Sequence, residues 1–282
     1  MNETFQPNGI ITLTTDFGID DAYVPIMKGV ILGIAPQARI IDYTHGIKPG
    51  NIIEAAYLLR SGYRYFPRGT THVVVVDPGV GSKRRAIAIQ TPEATFIGPD
   101  NGIFSLVCED AQHAWPQHTR MIELTEARFW LPQISNTFHG RDIFAPVSAH
   151  IVRGVPFGEL GRPIESLVPA HRTTPYALGP GLLMGRIIHV DRFGNCITNI
   201  TAEHLEAHGI GRHVLIEIID QQVRGLVRTY SDGPSGLPVT LIGSSGHLEI
   251  AVPNGHAAQY LGVDIGDKFR VRRAEDSRAA TG

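Results

Sequence analysis

Cysteine is scarce: Cys108 and Cys196 are the only two in 282 residues, and they lie far apart. A disulfide-stapled scaffold needs more, so both read as buried, reduced thiols. Excess charge is also lacking. The formal net charge is −2, so no strong field exists to draw nucleic acid or an anionic membrane surface. No apolar run approaches the roughly 18–20 residues that cross a bilayer. Met1–Gly9 lacks the basic-then-apolar order of a signal peptide. Together these absences read as a cytoplasmic protein that partners neither nucleic acid nor membrane. Familiar chemistry is missing too. No GxGxxG follows the first strand, and there is no GxxxxGKS or GxxxxGKT, no HExxH and no GxSxG. Gly79-Val80-Gly81 lacks the third glycine of a dinucleotide turn.

What is present is a chain with a core. Hydrophobic residues make up 43%, enough for one large domain or two ordinary ones. The first half alternates strands and helices. Ile10–Thr14 reads as a strand, Ala22–Ala35 as a helix stopped by Pro36, and Arg39–Thr44 as a second strand. Asn51 with Glu54 three positions on reads as a helix start, the helix running through Arg60. The unbroken Val73-Val74-Val75-Val76 run suits a strand buried on both faces, as in a parallel sheet. Strands at Ala86–Thr91 and Thr95–Gly98 and helices at Ile103–Glu109 and Asp142–Val152 complete an α/β layered pattern.

The second half changes character after a Pro/Gly-rich stretch, Thr174–Gly181. Short strands follow at Leu183–Asp191, Cys196–Ile200, Val214–Ile219, Gly225–Thr229, Val239–Ile242, Leu248–Ala251 and Lys268–Val271. Such spacing indicates an antiparallel barrel or sandwich. The boundary is placed near residue 178, giving domains 1–177 and 178–282.

Ligands of open α/β sheets bind beyond the carboxyl ends of the strands. Asp16 and Asp77 fall at such ends, although an Asp there is also a common turn former or helix cap. Phe138-His139-Gly140-Arg141-Asp142 places a histidine at a helix entry. Asp191-Arg192-Phe193-Gly194-Asn195 follows a strand in the second domain and fits a β-turn equally well. Gly243-Ser244-Ser245-Gly246 is a hairpin loop or a small-residue nest for an anion. Asp16, Asp20, Asp21 and Asp42 leave a metal set as a remote alternative. His45, His113, His118 and His171 show no ligand spacing.

Five motifs in order carry a resemblance: the strand ending in Thr15-Asp16-Phe17-Gly18; Asp77-Pro78-Gly79-Val80-Gly81 with Arg84 behind it; Gly98-Pro99-Asp100-Asn101-Gly102; Phe138 to Asp142; and Asp191 to Asn195. From about Ile10 to Arg272 the chain closely resembles the S-adenosyl-L-methionine (SAM) hydroxide adenosyltransferase family. That family, also called SAM hydrolase (adenosine-forming), is related to the SAM-dependent fluorinase and chlorinase. The resemblance implies an N-terminal α/β domain with a central, largely parallel sheet and a C-terminal antiparallel β-barrel domain. It implies a homotrimer with active sites at subunit interfaces. It also implies roles: Asp77, Arg84 (rather than the adjacent Arg85) and His139 around an attacking water, Asp16 on the ribose hydroxyls, Asp191 on the methionine ammonium, Asn195 on adenine, and Ser244 and Ser245 on the methionine carboxylate.

The implied reaction is SAM + H₂O → adenosine + methionine, with water attacking the ribose C5′. SAM is the substrate, and no metal or redox cofactor is expected. The alternatives are a SAM- or adenosine-binding sensor without turnover, and a SAM-dependent halogenase. Against halide chemistry, Asp77, His139 and Gly140 stand where the halogenating relatives build a dry pocket. The short Pro92–Ala94 turn also leaves no room for those relatives' extra loop.

Overall fold

The valine run sits where its composition demands. In the computed structural model, which describes residues 5–170 and 174–274, strand β3 (Thr70–Val75) is buried along its whole length. Val73 and Val75 face one apolar cluster, and Val74 and Val76 face another. A strand covered by helices on both sides favours apolar residues on both faces, so alternation disappears along the valine run.

The chain divides into two compact units, Met1–His171 and Arg172–Gly282. The first is built on β1 (Ile10–Thr15), α1 (Tyr23–Ile34), β2 (Arg39–Thr44), α2 (Ile52–Gly62), β3, β4 (Ala86–Gln90), β5 (Ala94–Pro99), α3 (Ser105–Ala114), β6 (Arg120–Leu124), α4 (Ala145–Val152) and β7 (Gly161–Pro163). Its seven strands run in the order β2-β1-β3-β5-β4-β6-β7. The pairs β1/β2, β1/β3 and β3/β5 are parallel, and the pairs involving β4 or β6 are antiparallel. Helices α1 and α4 cover one face, and α2 and α3 cover the other.

This order creates a switch point. From β1 the chain crosses by α1 to β2 on one side, then returns by α2 to β3 on the other. The carboxyl ends of β1 and β3 therefore lie side by side, with Thr15 paired to Val75, and the helices diverge to leave a crevice above them. Asn51 starts α2 as its sequence suggests: its side chain accepts from the Glu54 amide.

The second unit contains β8 (Tyr176–Gly179), β9 (Leu182–Val190), β10 (Cys196–Thr201), α5 (Ala202–Ala207), β11 (Val214–Ile218), β12 (Gln221–Arg224), β13 (Val239–Ile242), β14 (His247–Ala251), α6 (Ala257–Leu261) and β15 (Lys268–Arg273). The eight strands are ordered β12-β11-β15-β9-β10-β14-β13, with β8 added on β9, and every ladder pair is antiparallel. A bridge from Leu226 to Thr240 brings the two ends of the path together, so the sheet is nearly closed as a barrel. The strand expected at Gly225–Thr229 lies earlier, at Gln221–Arg224. The reversal occurs at Ile219, held at φ 51°, and Gly225 at φ 76° ends the strand. Among the described residues, no helix is long and apolar enough to cross a membrane.

Candidate active site

The crevice above β1 and β3 is a cleft of about 520 Å³, lined by Asp16, Asp77, His139 and the rings of Phe17, Tyr23 and Phe138. The three rings pack on one another, with centroids 5.3–5.9 Å apart, and form an apolar wall. Asp77 stands just past β3, in the turn that Pro78 and Gly79 make. Arg84 returns from the far side of that turn. Its Nε donates to Asp77 Oδ1 and Oδ2 at 3.0 and 2.9 Å. Its Nη2 donates to Asp77 Oδ2 and, at 2.7 Å, to His139 Nδ1. Guanidinium carries no acceptor, so Nδ1 of His139 must offer its lone pair, and the proton of the neutral ring sits on Nε2.

These side chains are poorly solvated. Asp77 is 5% and Arg84 9% exposed, and the guanidinium also lies over the Phe144 ring, 5.4 Å from its centroid. Burial pushes the His139 imidazole below its ordinary pKa. The Arg84 charge adds to the push, and the two together prevail over the opposite pull of Asp77, Asp142 and a backbone hydrogen bond at Ser135. His139 is thus held neutral in the neutral pH range.

His139 is aimed by a strut that the sequence reading did not single out. It stands at the entry to a π-helical turn, Gly140–Phe144, which leads into α4. Asp142, fully buried in that turn, accepts from the Ser135 amide at 2.8 Å and from Arg141 Nε at 2.6 Å. This ties the loop before His139 to the helix behind it. Gly81 lets the loop approach the Asp77 turn. A Cβ there would lie 2.2 Å from the Asn136 carbonyl, and φ is +75°. Arg85 turns away. It pairs with Asp100 and donates to the Ser166 carbonyl at 2.7 Å. Asn101 caps the end of β3, donating to the Val76 carbonyl at 2.9 Å.

Asp16 reaches the cleft from the end of β1, and its Oδ2 accepts from the Gly50 amide at 2.8 Å. Asp42 is engaged by Lys28 and His45. Among the described residues no three His, Cys, Asp or Glu side chains gather as a metal ion requires. His171 lies outside the described residues.

In the second unit, Asp191 and Asn195 flank the β9–β10 turn and bind each other. Asp191 Oδ1 accepts from the amides of Phe193 (2.9 Å) and Asn195 (2.8 Å), and Oδ2 accepts from Asn195 Nδ2 at 2.9 Å. Gly194, at φ +85°, lies against the His256 ring, where a Cβ would come within 2.2 Å. Ser244 and Ser245 lie in the β13–β14 hairpin. The register sets Cys196 opposite Ile250 and Thr201 opposite His247, so Asn195 and the serine loop fall at opposite ends of β14.

Between them stands Glu249, another residue that sequence reading passed over. It is 6% exposed and accepts from the Tyr230 hydroxyl at 2.7 Å. Burial pushes its carboxyl up, and the charge of Asp191 pushes the same way. A lone acid in a strand buried throughout, His247–Ala251, was the available signal.

Residues 11–161 match the SAM hydroxide adenosyltransferase N-terminal domain, and residues 185–270 match the C-terminal domain of the same name. The chain belongs to the SAM hydroxide adenosyltransferase family. Within it, the (R)-S-adenosyl-L-methionine hydrolase of Salinispora tropica is 37% identical over 270 residues, covering 94% of this chain and 98% of that protein. A fluorinase of Actinoplanes sp. is more distant, 29% identical over 275 residues, covering 86% of this chain and 91% of its own. The crystal structure of an uncharacterized conserved protein from Thermotoga maritima shares the adenosyltransferase fold described above. Its TM-score is 0.83 at 33% identity, over 93% of this chain and 100% of that one.

Proposed function

We propose that this chain hydrolyses SAM to adenosine and L-methionine by in-line attack of water at the ribose C5′. One observation carries the reading: Asp77, Arg84 and His139 are bonded together in the cleft that Asp16 also lines. The relative from Salinispora tropica is named for the (R) epimer at sulfur, and the same preference is proposed here.

The chemistry suits these groups. The substrate sulfonium departs as a neutral thioether and needs no general acid. Free water, with a pKa near 15.7, is a poor nucleophile. The difficulty is aiming it along the C5′–S axis, and positioning of this kind lowers barriers by up to about 7–11 kcal/mol. His139, bonded through Nδ1 to Arg84, helps fix the guanidinium that orients Asp77 toward the water. Asp77 accepts the proton. Arg84 fixes the direction of the carboxylate, and the attacking oxygen becomes strongly acidic as the C–O bond forms, so a carboxylate suffices as base. The mechanism invokes no metal or redox cofactor.

Asp16 holds the two ribose hydroxyls. Asp191 holds the methionine ammonium, Asn195 contacts adenine, and Ser244 and Ser245 hold the carboxylate. The placement of Asn195 and the serine loop at opposite ends of β14 supports an extended ligand.

The assembly proposed is a homotrimer in which neighbouring subunits complete each site. Exposed apolar side chains beside both residue sets support it: Ile19 (86% exposed) and Tyr23 near Asp16, and Phe193 (77% exposed) next to Asp191. Co-expressed Asp77→Asn and Asp191→Lys chains are expected to regain part of the turnover that each variant lacks alone. No regain would remove the shared site.

The test of the reaction is mass spectrometry of products formed in ¹⁸O-water from each sulfonium epimer. The label is expected on the adenosine 5′-oxygen, with the (R) epimer consumed faster. Free adenine, or SAM recovered intact, would overturn the reading.

A further inference from the structure

Behind Asp16 runs a line of hydrogen bonds, buried at its Thr15 end and open at the surface at its Lys28 end, that the proposed chemistry does not use. Thr15, the residue before Asp16, is 0% exposed. Its Oγ1 accepts from the Phe17 amide at 3.2 Å and lies 2.8 Å from His45 Nδ1. His45 Nε2 lies 2.9 Å from Asp42 Oδ1, and Lys28 Nζ donates to Asp42 Oδ2 at 2.6 Å. The main chain makes a parallel tie, with the Gly18 amide donating to the His45 carbonyl at 2.9 Å.

The donors and acceptors have one consistent sense. Burial pushes the Asp42 carboxyl up, but its bonds to Lys28 and His45 outweigh this and hold it below the usual carboxylate range. Asp42 is therefore ionised and only accepts, so a proton sits on His45 Nε2. The Phe17 amide only donates, so it occupies a Thr15 lone pair, and the hydroxyl bonds the Nδ1 side of the ring. Each bond fixes the next, from Lys28 at the surface to the amide that follows Asp16. Hydroxyl, imidazole and carboxylate are ordered as in a nucleophilic triad. With Thr15 sealed from solvent, however, the hydroxyl cannot attack a ligand, and what the line can do is hold a loop.

We infer that His45 is a positioning residue for the ribose: through Thr15 it sets the Asp16–Gly18 loop, and hence where the Asp16 carboxylate meets the two ribose hydroxyls. The inference rests on the ribose role proposed for Asp16. It adds that this role depends on a histidine and an aspartate outside the cleft lining. An in-line reaction is sensitive to such a device, since misplacement by 1 Å can lower its rate by about 10²-fold.

The test is calorimetric titration of the full chain with adenosine and with 2′,3′-dideoxyadenosine, which lacks the hydroxyls that Asp16 would hold. The wild type is expected to prefer adenosine. In His45→Phe and Thr15→Val the preference is expected to shrink by about tenfold or more, the scale of a hydrogen bond to a charged group, with dideoxyadenosine affinity unchanged. Thr15→Ser, which restores the hydroxyl, is expected to retain the preference. Should the buried variants fail to fold, Asp42→Ala carries the test, because the Asp42 side chain is 46% exposed. A wild-type preference in the folded variants, or parallel loss of both nucleosides, would overturn the inference and leave the Asp16 reading standing. Equal affinity of the wild type for both nucleosides would instead overturn the Asp16 reading, and this inference with it.

Discussion

Asp77 and Asp191 both follow a strand, in a turn that contains glycine, yet they are held in opposite ways. Asp77 is neutralised by another side chain, the guanidinium of Arg84, which also reaches His139. Asp191 keeps its charge and is held by its own turn, through two backbone amides and the Asn195 side chain. A carboxylate bound by backbone is a fixed fixture of the chain, suited to recognising a ligand charge. A carboxylate bound by a side chain can respond when the group beside it changes charge, which suits chemistry.

The comparison ranks the consequences of breaking each aspartate's support. Arg84→Leu is expected to have the largest effect. It leaves Asp77 as an unpaired charge 5% exposed, a change that destabilises by about 3–5 kcal/mol, and it frees His139 as well. Thermal unfolding should register that loss, and turnover should fall at least as far as in Asp77→Asn. Near-wild-type stability and turnover would mean that the guanidinium contact is incidental.

Asp191→Asn keeps an acceptor for the turn but removes the charge. KM for SAM is expected to rise about tenfold, the scale of one charge-assisted bond. Little change in kcat is expected, because uniform binding is what is lost. A fall in kcat at constant KM would move Asp191 into the chemistry and erase the distinction.

The smallest effect is that of pH. Because the His139 pKa is lowered, the folded state binds fewer protons there than the unfolded chain, whose histidine titrates near 6.5. The stability contribution of His139 is expected to be full above that value and to decline as the pH falls below it, because the unfolded chain then binds a proton that the folded ring refuses. The kcat value is expected to hold further into acid and to decline only when the folded ring itself is protonated and Nδ1 must face the Arg84 donor. An acid limb above pH 6.5 in the kcat profile would contradict the neutral, Nε2-protonated ring.

Much of the fold was legible because its signals are local. The valine run, the Asn51 cap and the β4–β5 hairpin each depend on a few adjacent residues. Strands β6, β7 and β8 were not anticipated. All three are short; β7, consisting of Gly161-Arg162-Pro163 alone, and β8 are largely exposed, and β6 buries only Ile122 and Leu124. Nothing in their composition separates them from loop. The same division holds at the site. Asp77 and Arg84 share one turn and could be read together. His45 and Glu249 could not, because their meaning comes from strands β1 and β2 pairing in register and from β14 being buried on both faces. Those are tertiary facts that spacing along the chain does not encode.

The most direct test of the central claim, that Asp77, fixed by Arg84, takes the proton of the attacking water, is to measure single-turnover rate and SAM affinity separately in Asp77→Asn. The expected result is a rate lowered by about 10²–10⁴-fold with affinity close to wild type. A rate near wild type, or a loss lying wholly in affinity, would contradict it.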